Sequence, residues 1–112
     1  MAHHQYQSCI EACTRCAQAC KHCADACLGE DDLKRMVDCI RLDRDCAAIC
    51  WTAASFMSCD SHFAPEICGV CAEICEACGA ECEKHEQEHC QRCAEACRRC
   101  AEECRWMAGA PV

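Results

Sequence analysis

The sequence predicts an all-α fold: an antiparallel up-down-up-down four-helix bundle with a cysteine-lined core. Three observations carry this prediction. Cysteines recur at alternating steps of three and four, which is the buried seam of an amphipathic helix and not the period of two of a strand. The residues between them, as in AEACRRCAEEC (94–104), are Ala, Glu and Arg, all strong helix formers. Four such segments follow one another in 112 residues with short connections, which sets neighbouring helices antiparallel in one domain spanning 1–112.

The first helix is expected over about 4–28, with Cys9, Cys13, Cys16, Cys20, Cys23 and Cys27 on one face. Gly29 then suits a helix C-terminus, and Glu30-Asp31-Asp32 suit the positive end of the helix that follows. The second helix, about 31–58, is poorer in cysteine. Its seam reads Met36, Cys39, Asp43, Cys46, Cys50, Ala53 and Met57, with Cys59 at the bundle's end. An acid on a buried seam is costly. A slight rotation that buries Leu42 and leaves Asp43 at the rim is therefore expected, with a ligand or hydrogen-bonding role as the lesser alternative.

The stretch SCDSHFAPE (58–66) is the longest segment without periodicity, and Pro65 fits the first turn of a third helix over about 65–84. That helix carries Cys68, Cys71, Cys75, Cys78 and Cys82. The fourth, about 88–107, carries Cys90, Cys93, Cys97, Cys100 and Cys104. Between them EKHEQEH contains neither Gly nor Pro, yet the seam breaks there: Cys82 and Cys90 are eight residues apart, not seven. A tight turn near 84–88 is the expected result. At least eighteen of the 20 cysteines should face the interior.

Composition narrows the function. With two Phe, two Trp and one Tyr, cysteine must supply much of any core. The net charge of −8 is spread as interleaved acids and bases, the pattern of a solvated outer face. It argues against nucleic acid, which selects basic stripes, and against anionic membrane surfaces. No run approaches the roughly 18 apolar residues of a membrane helix, and MAHHQYQSCIEAC has no apolar leader core. A cytosolic protein with reduced thiols is expected, unless a leader has been trimmed.

Four uses of the thiols compete. As plain core residues, cysteines pack like small hydrophobes, but twenty of them would invite oxidation for less apolar volume than leucine. A disulfide framework suits loop-rich secreted domains, and pairs at i,i+3 or i,i+4 on one helix fit disulfide geometry poorly. Redox CxxC motifs normally open a helix in a βαβ setting, whereas these lie mid-helix. The ferredoxin cysteine run and the CxxCH of haem attachment are both absent. No catalytic triad or P-loop pattern occurs, so an enzyme is not expected.

Multinuclear metal binding accounts for the pattern best. Side chains at i and i+4 stand about 5–6 Å apart at Cβ, so two thiolates can reach one ion. Such pairs recur as Cys9/Cys13, Cys16/Cys20, Cys23/Cys27, Cys46/Cys50, Cys71/Cys75, Cys78/Cys82, Cys93/Cys97 and Cys100/Cys104. Charge helps to choose the metal. Zinc prefers about four thiolates per ion, so twenty would make about five sites of charge −2, a dry core near −10. Cu(I) accepts two or three soft thiolates and carries one charge. If each thiolate bridges two ions, the core nears one Cu(I) per Cys and stays almost neutral. Cu(I) is favoured, with zinc sequestration or Fe–S binding by the same thiols as the alternative.

The segments CIEACTRCAQACKHCADAC (9–27), CIRLDRDCAAIC (39–50), ICGVCAEICEACGAEC (67–82) and HEQEHCQRCAEACRRCAEEC (85–104), in that order, resemble the copper storage proteins, Cys-lined four-helix bundles that bind copper. The resemblance covers nearly the whole chain. It implies a homotetramer whose subunits each store many Cu(I) ions, and membership of the family's cytosolic branch. Because the second helix has fewer seam cysteines, the thiolate lattice should be thinner beside it.

In an antiparallel bundle one mouth gathers Cys27, Met36, Cys82, His85, His89 and Cys90. His85 holds the next seam position after Cys82, either as a copper ligand or as a solvated turn histidine. The other mouth gathers Met57, Cys59, Cys68, Cys104 and Met107, where the thioethers either bind Cu(I) or plug the end. His3, His4, His22 and His62 read as surface residues. The second helix has a further apolar stripe of Ile40, Ala47, Trp51 and Ala54, with Val37 nearby, which predicts Trp51 in an oligomer contact.

Overall fold

The structure is a computed structural model describing residues 2–109, with side chains from Tyr6 onward. His3 and His4 therefore lie outside the described side chains. The described residues form four helices: α1 (Ala2–Cys27), α2 (Leu33–Ser58), α3 (Ala64–Glu83) and α4 (Glu88–Met107). Each packs against its chain neighbours, and α4 returns against α1, so the order around the bundle is the order along the chain. The diagonal helices α2 and α4 meet through side chains in the interior, as where Cys50 Sγ lies 3.7 Å from Cys100 Sγ.

The ends of the helices differ from the expected ones by a turn or less. α2 begins at Leu33, so Asp31 and Asp32 precede it, and Asp32 makes no side-chain capping bond. Gly29 sits in the turn after α1, where its N–H donates to the Ala26 carbonyl at 3.0 Å. The left-handed region is used elsewhere, at Asp60 (φ 55) between α2 and α3 and at Gly109 (φ 72). Pro65 occupies the first turn of α3, where its missing N–H costs nothing. Residues 84–87 form the turn between α3 and α4 at the break in the seam.

Small residues set how closely the helices approach. Ala12, Ala17, Ala47, Ala72, Ala94 and Ala101 are buried beside the cysteine seam. Gly79 of α3 faces α4 so closely that a Cβ there would stand 3.3 Å from Cys97 Cβ. The bundle is accordingly slender, 48 × 25 × 18 Å. On its outside, Arg98 pairs with Glu83 and Arg105 grips Glu76 through two nitrogens, at 2.6 and 3.1 Å. Both pairs tie α4 to α3; being exposed, they orient more than they stabilise. Among the described residues no helix is long and apolar enough to cross a membrane.

The expectation for Asp43 requires correction. α2 keeps its seam without rotating, and Asp43 is fully buried while Leu42 is only half-buried. The physical reason is tertiary: thiols of α3 and α4 supply the hydrogen bonds that water would otherwise give. The second apolar stripe is also partly absorbed within the chain. Ala47 and Ala54 are buried and Ile40 packs on the core, leaving Trp51 42% exposed.

Candidate metal centre

Nineteen of the twenty cysteines are buried, and all twenty are free thiols. The seams direct them to the bundle axis, where neighbouring sulfurs lie 3.6–4.0 Å apart, far beyond the roughly 2.05 Å of a disulfide bond. At one end Cys9 and Cys13 both approach Cys104 at 3.6 Å. Further along, Cys50 meets Cys71, Cys75 and Cys100, each at 3.7 Å. Cys16 then meets Cys46 and Cys97 at 3.7 Å, and Cys93 meets Cys20 at 3.6 Å. At the far end Cys39 approaches Cys82 at 3.6 Å, and Cys23 approaches Cys90 at 3.8 Å.

The i,i+4 pairs behave largely as their spacing implies. Cys16/Cys20, Cys23/Cys27, Cys46/Cys50, Cys71/Cys75, Cys93/Cys97 and Cys100/Cys104 stand 3.8–4.0 Å apart. The members of the other two pairs meet through a shared partner instead. Cys9 and Cys13 converge on Cys104, and Cys78 and Cys82 converge on Asp43. Cys59 is the exception to the core: it is exposed, and its Sγ donates to the Phe56 carbonyl at 3.6 Å. α2 ends at Ser58, and Cys59 caps it two residues past Met57, off the seam that faces the axis.

The sulfurs fall into four-membered groups whose ligand atoms lie within 4.8 Å of one another. Cys13, Cys71, Cys100 and Cys104 form one, and Cys23, Cys27, Cys39 and Cys90 another. Three central groups overlap: Cys16 and Cys46 belong to two of them, as do Cys20 and Cys97. Distance alone does not select a metal, since tetrahedral zinc with Zn–S bonds of about 2.3 Å needs sulfurs about 3.8 Å apart. Sharing constrains the arrangement, because overlapping groups cannot all be filled by ions that each need four private thiolates. They suit ions joined through bridging sulfurs.

Protonation follows from burial. Burial pushes the Cys90 thiol up to about 12 and raises that of Cys27 as well. Asp43 is pushed up to about 11, first by burial and then by Cys93 and Cys78. Its Oδ1 accepts from Cys93 at 3.2 Å, Cys78 at 3.3 Å and Cys82 at 3.6 Å, and its Oδ2 from Cys39 at 3.8 Å. Burial opposes ionisation at the other core thiols as well, while contacts between sulfurs push some up and others, such as Cys39, down. An ion that binds thiolates must displace whatever protons the thiols hold.

The two mouths differ in chemistry. At one, His89 Nδ1 lies 3.6 Å from the sulfurs of Cys23 and Cys90 and 3.9 Å from that of Cys27. The ring's Nε2 donates to Glu30 Oε2 at 3.0 Å. His85 is buried, with its Nε2 2.9 Å from Glu81 Oε2, so it is not a solvated turn residue. Met36 is buried at the same end, on the wall of a cavity of about 470 Å³ shared with Glu30, Asp31, Asp32, Arg35 and His85. The opposite mouth is apolar. Met57 and Cys68 are buried there, and Met107, Tyr6, Phe56 and Ile67 pack on the core. His22 and His62 are exposed, as their positions off the seam imply.

Sequence periodicity found the sulfurs but not the role of Glu30. That residue reads as an acid preceding α2, and its contact depends on a turn whose path no repeat encodes.

Comparison with known proteins agrees with this geometry. The family model described as Csp, copper storage protein, matches residues 2–109. The cysteine-rich protein YhjQ of Bacillus subtilis is 56% identical over 66 residues, which span 59% of this chain and 61% of that relative's length. The solved structure of the Cu(I)-bound copper storage protein BsCsp3 is 55% identical, with a TM-score of 0.90, over 93% of this chain and 98% of that one. A cytosolic copper storage protein from Streptomyces lividans, solved with five coppers, is 40% identical with a TM-score of 0.90, over 99% of this chain and 98% of that one. With the family model matching nearly its whole length and its cysteine-lined bundle shared by these relatives, the chain belongs to the copper storage protein family.

Proposed function

We propose that this chain stores Cu(I) at high capacity through bridging thiolates of its nineteen buried cysteines. The observation that carries the reading is the overlap of the central sulfur groups, in which Cys16, Cys20, Cys46 and Cys97 each belong to more than one. Ions of single charge joined through shared thiolates keep such a core near neutral, whereas private four-thiolate zinc sites would not. His89 and His85 at the polar mouth serve as accessory ligands during uptake. Met36 at that mouth, and Met57 and Met107 at the other, close the lattice with soft thioethers. Asp43 acts as a hydrogen-bond acceptor that holds Cys78 and Cys93, rather than as a ligand. Cys59 lies outside the store.

Storage requires capacity and protection from oxygen and stray thiols, and no turnover follows from it, so the chain is not an enzyme. Its place is the cytosol, where thiols stay reduced. It works as a homo-oligomer, a tetramer by analogy with the family, with Trp51 in a contact.

Anaerobic titration of the reduced protein with Cu(I) and with Zn(II), followed by a competing chelator, tests this reading. Cu(I) uptake approaching one ion per buried thiol, colourless throughout, is the expected result. Saturation near five ions with zinc favoured would overturn it, and visible absorption bands after iron and sulfide loading would point to the Fe–S alternative.

A further inference from the structure

Three elements meet around His89. Glu30 lies in the turn after α1, Gln87 in the turn before α4, and His89 itself in the first turn of α4. Gln87 Nε2 donates to Glu30 Oε1 at 3.4 Å, leaving Oε2 to face the ring at 3.0 Å from Nε2. A carboxylate only accepts hydrogen bonds, so the ring nitrogen facing it must carry the proton. In the neutral ring the lone pair then resides on Nδ1, which stands among Cys23, Cys27 and Cys90. The His89 ring is mostly buried, so its orientation is held by these contacts and not by water.

We infer that Glu30 is a positioning residue: it fixes the tautomer and rotation of His89 so that Nδ1 faces the thiols already prepared to take a metal. The inference rests on the proposed role of His89 as a copper ligand. Carboxylate partners of this kind orient metal-binding histidines and raise their basicity, and losing one typically costs about 10–100-fold in metal affinity. His89 and then Gln87 also hold the Glu30 carboxyl below the usual carboxylate range, keeping it an acceptor. Gln87 has its own part in this arrangement, because it occupies the oxygen that could otherwise turn to the ring.

Two measurements on the full chain test the inference. The first is nitrogen-15 NMR of histidine-labelled, reduced, metal-free protein at mildly alkaline pH. It should show His89 protonated at Nε2 in the parent and in Glu30→Gln, and a mixed tautomer in Glu30→Ala. The second is competition between the protein and a Cu(I) chelator for the first equivalents of copper. Glu30→Ala should bind these about tenfold more weakly or worse, and Glu30→Gln, which keeps an accepting oxygen, within about twofold of the parent.

A parent protonated at Nδ1, or a Glu30→Ala protein unchanged in tautomer, would overturn the inference. So would a Glu30→Gln protein as weak as Glu30→Ala, since the effect would then be one of charge and not of orientation. His89→Ala separates the two readings. If it holds the first equivalents as tightly as the parent, His89 is not a ligand, while the NMR result still decides what Glu30 does to the ring.

Discussion

Cys93 Sγ donates to Asp43 Oδ1 across 3.2 Å, joining α4 to α2 across the diagonal of the bundle. Cys78 donates to the same oxygen from α3 at 3.3 Å. A buried acid with thiols as its donors stays protonated when folded, but ionises once the chain unfolds into water.

That difference has a definite sign. The Asp43 carboxyl is raised to about 11 in the folded protein, by burial and then by Cys93 and Cys78. Above about pH 4 the unfolded state therefore binds fewer protons than the folded one, and stability falls as pH rises. The slope attributable to this one group is at most about 1.4 kcal/mol per pH unit. Urea unfolding of the reduced, metal-free protein should give a lower midpoint at pH 7.5 than at pH 5.5. Asp43→Asn keeps the accepting oxygen without the ionisation and should flatten that dependence. Equal pH dependence in the two proteins would refute the assignment. Above about pH 8 the unfolded thiols ionise too, and both proteins should lose stability more steeply.

Gly79 and Gly69 both lie within α3, yet opposite outcomes are expected on changing each to alanine. Either change gains about 0.5–1 kcal/mol of helix preference. At Gly79 the new methyl would stand 3.3 Å from Cys97 Cβ and 3.6 Å from the Ala94 carbonyl, forcing α3 from α4. Gly79→Ala should be destabilised by about 1 kcal/mol net, since overpacking costs about 1–3 kcal/mol. At Gly69 the nearest atom is Ala108 Cβ at 3.8 Å, an ordinary contact, so Gly69→Ala should gain stability. Thermal or urea unfolding of the pair reads the contrast directly.

Thiol accessibility should divide the cysteines sharply. Cys59 is exposed and the other nineteen are buried. A bulky thiol reagent added to the folded, reduced, metal-free protein should label one site at once and the rest only on denaturation. Cys59→Ser should abolish the fast phase, change stability by less than about 0.5 kcal/mol, and leave the Cu(I) capacity unchanged. Cys46→Ser, in the centre of the lattice, should lower that capacity.

Trp51 remains 42% exposed after its neighbours Ala47 and Ala54 have been buried within the chain. An indole so placed on α2 is expected to be covered by another copy. Sedimentation of Trp51→Asp should therefore report a smaller species than the parent. Identical sedimentation would place the contact elsewhere, for instance around Phe63 or Trp106, which are more exposed still.

Most of the helix count, the inward cysteines and the break at Cys82–Cys90 were legible because a heptad writes burial directly into residue spacing. Asp43 is legible in position but not in burial. Spacing puts it on the seam, but the usual penalty for a buried acid predicts that it escapes. Only the surrounding thiols of Cys78, Cys82 and Cys93, which come from other helices, make burial tolerable. Glu30 was unreadable for a different reason: turns have no period. Its hydrogen bond to His89 spans 59 positions in the chain, and it exists only once the end of α1 and the start of α4 have been brought together.

The buried alanines and Gly79 set the spacing of the helices by their size. A vessel whose width is set by its own staves should hold the same outline when laden as when bare. Such a reservoir has no gauge along its flanks. Any outward sign of how full it is should therefore be sought at the rim, where Glu30 lies over the mostly buried His89.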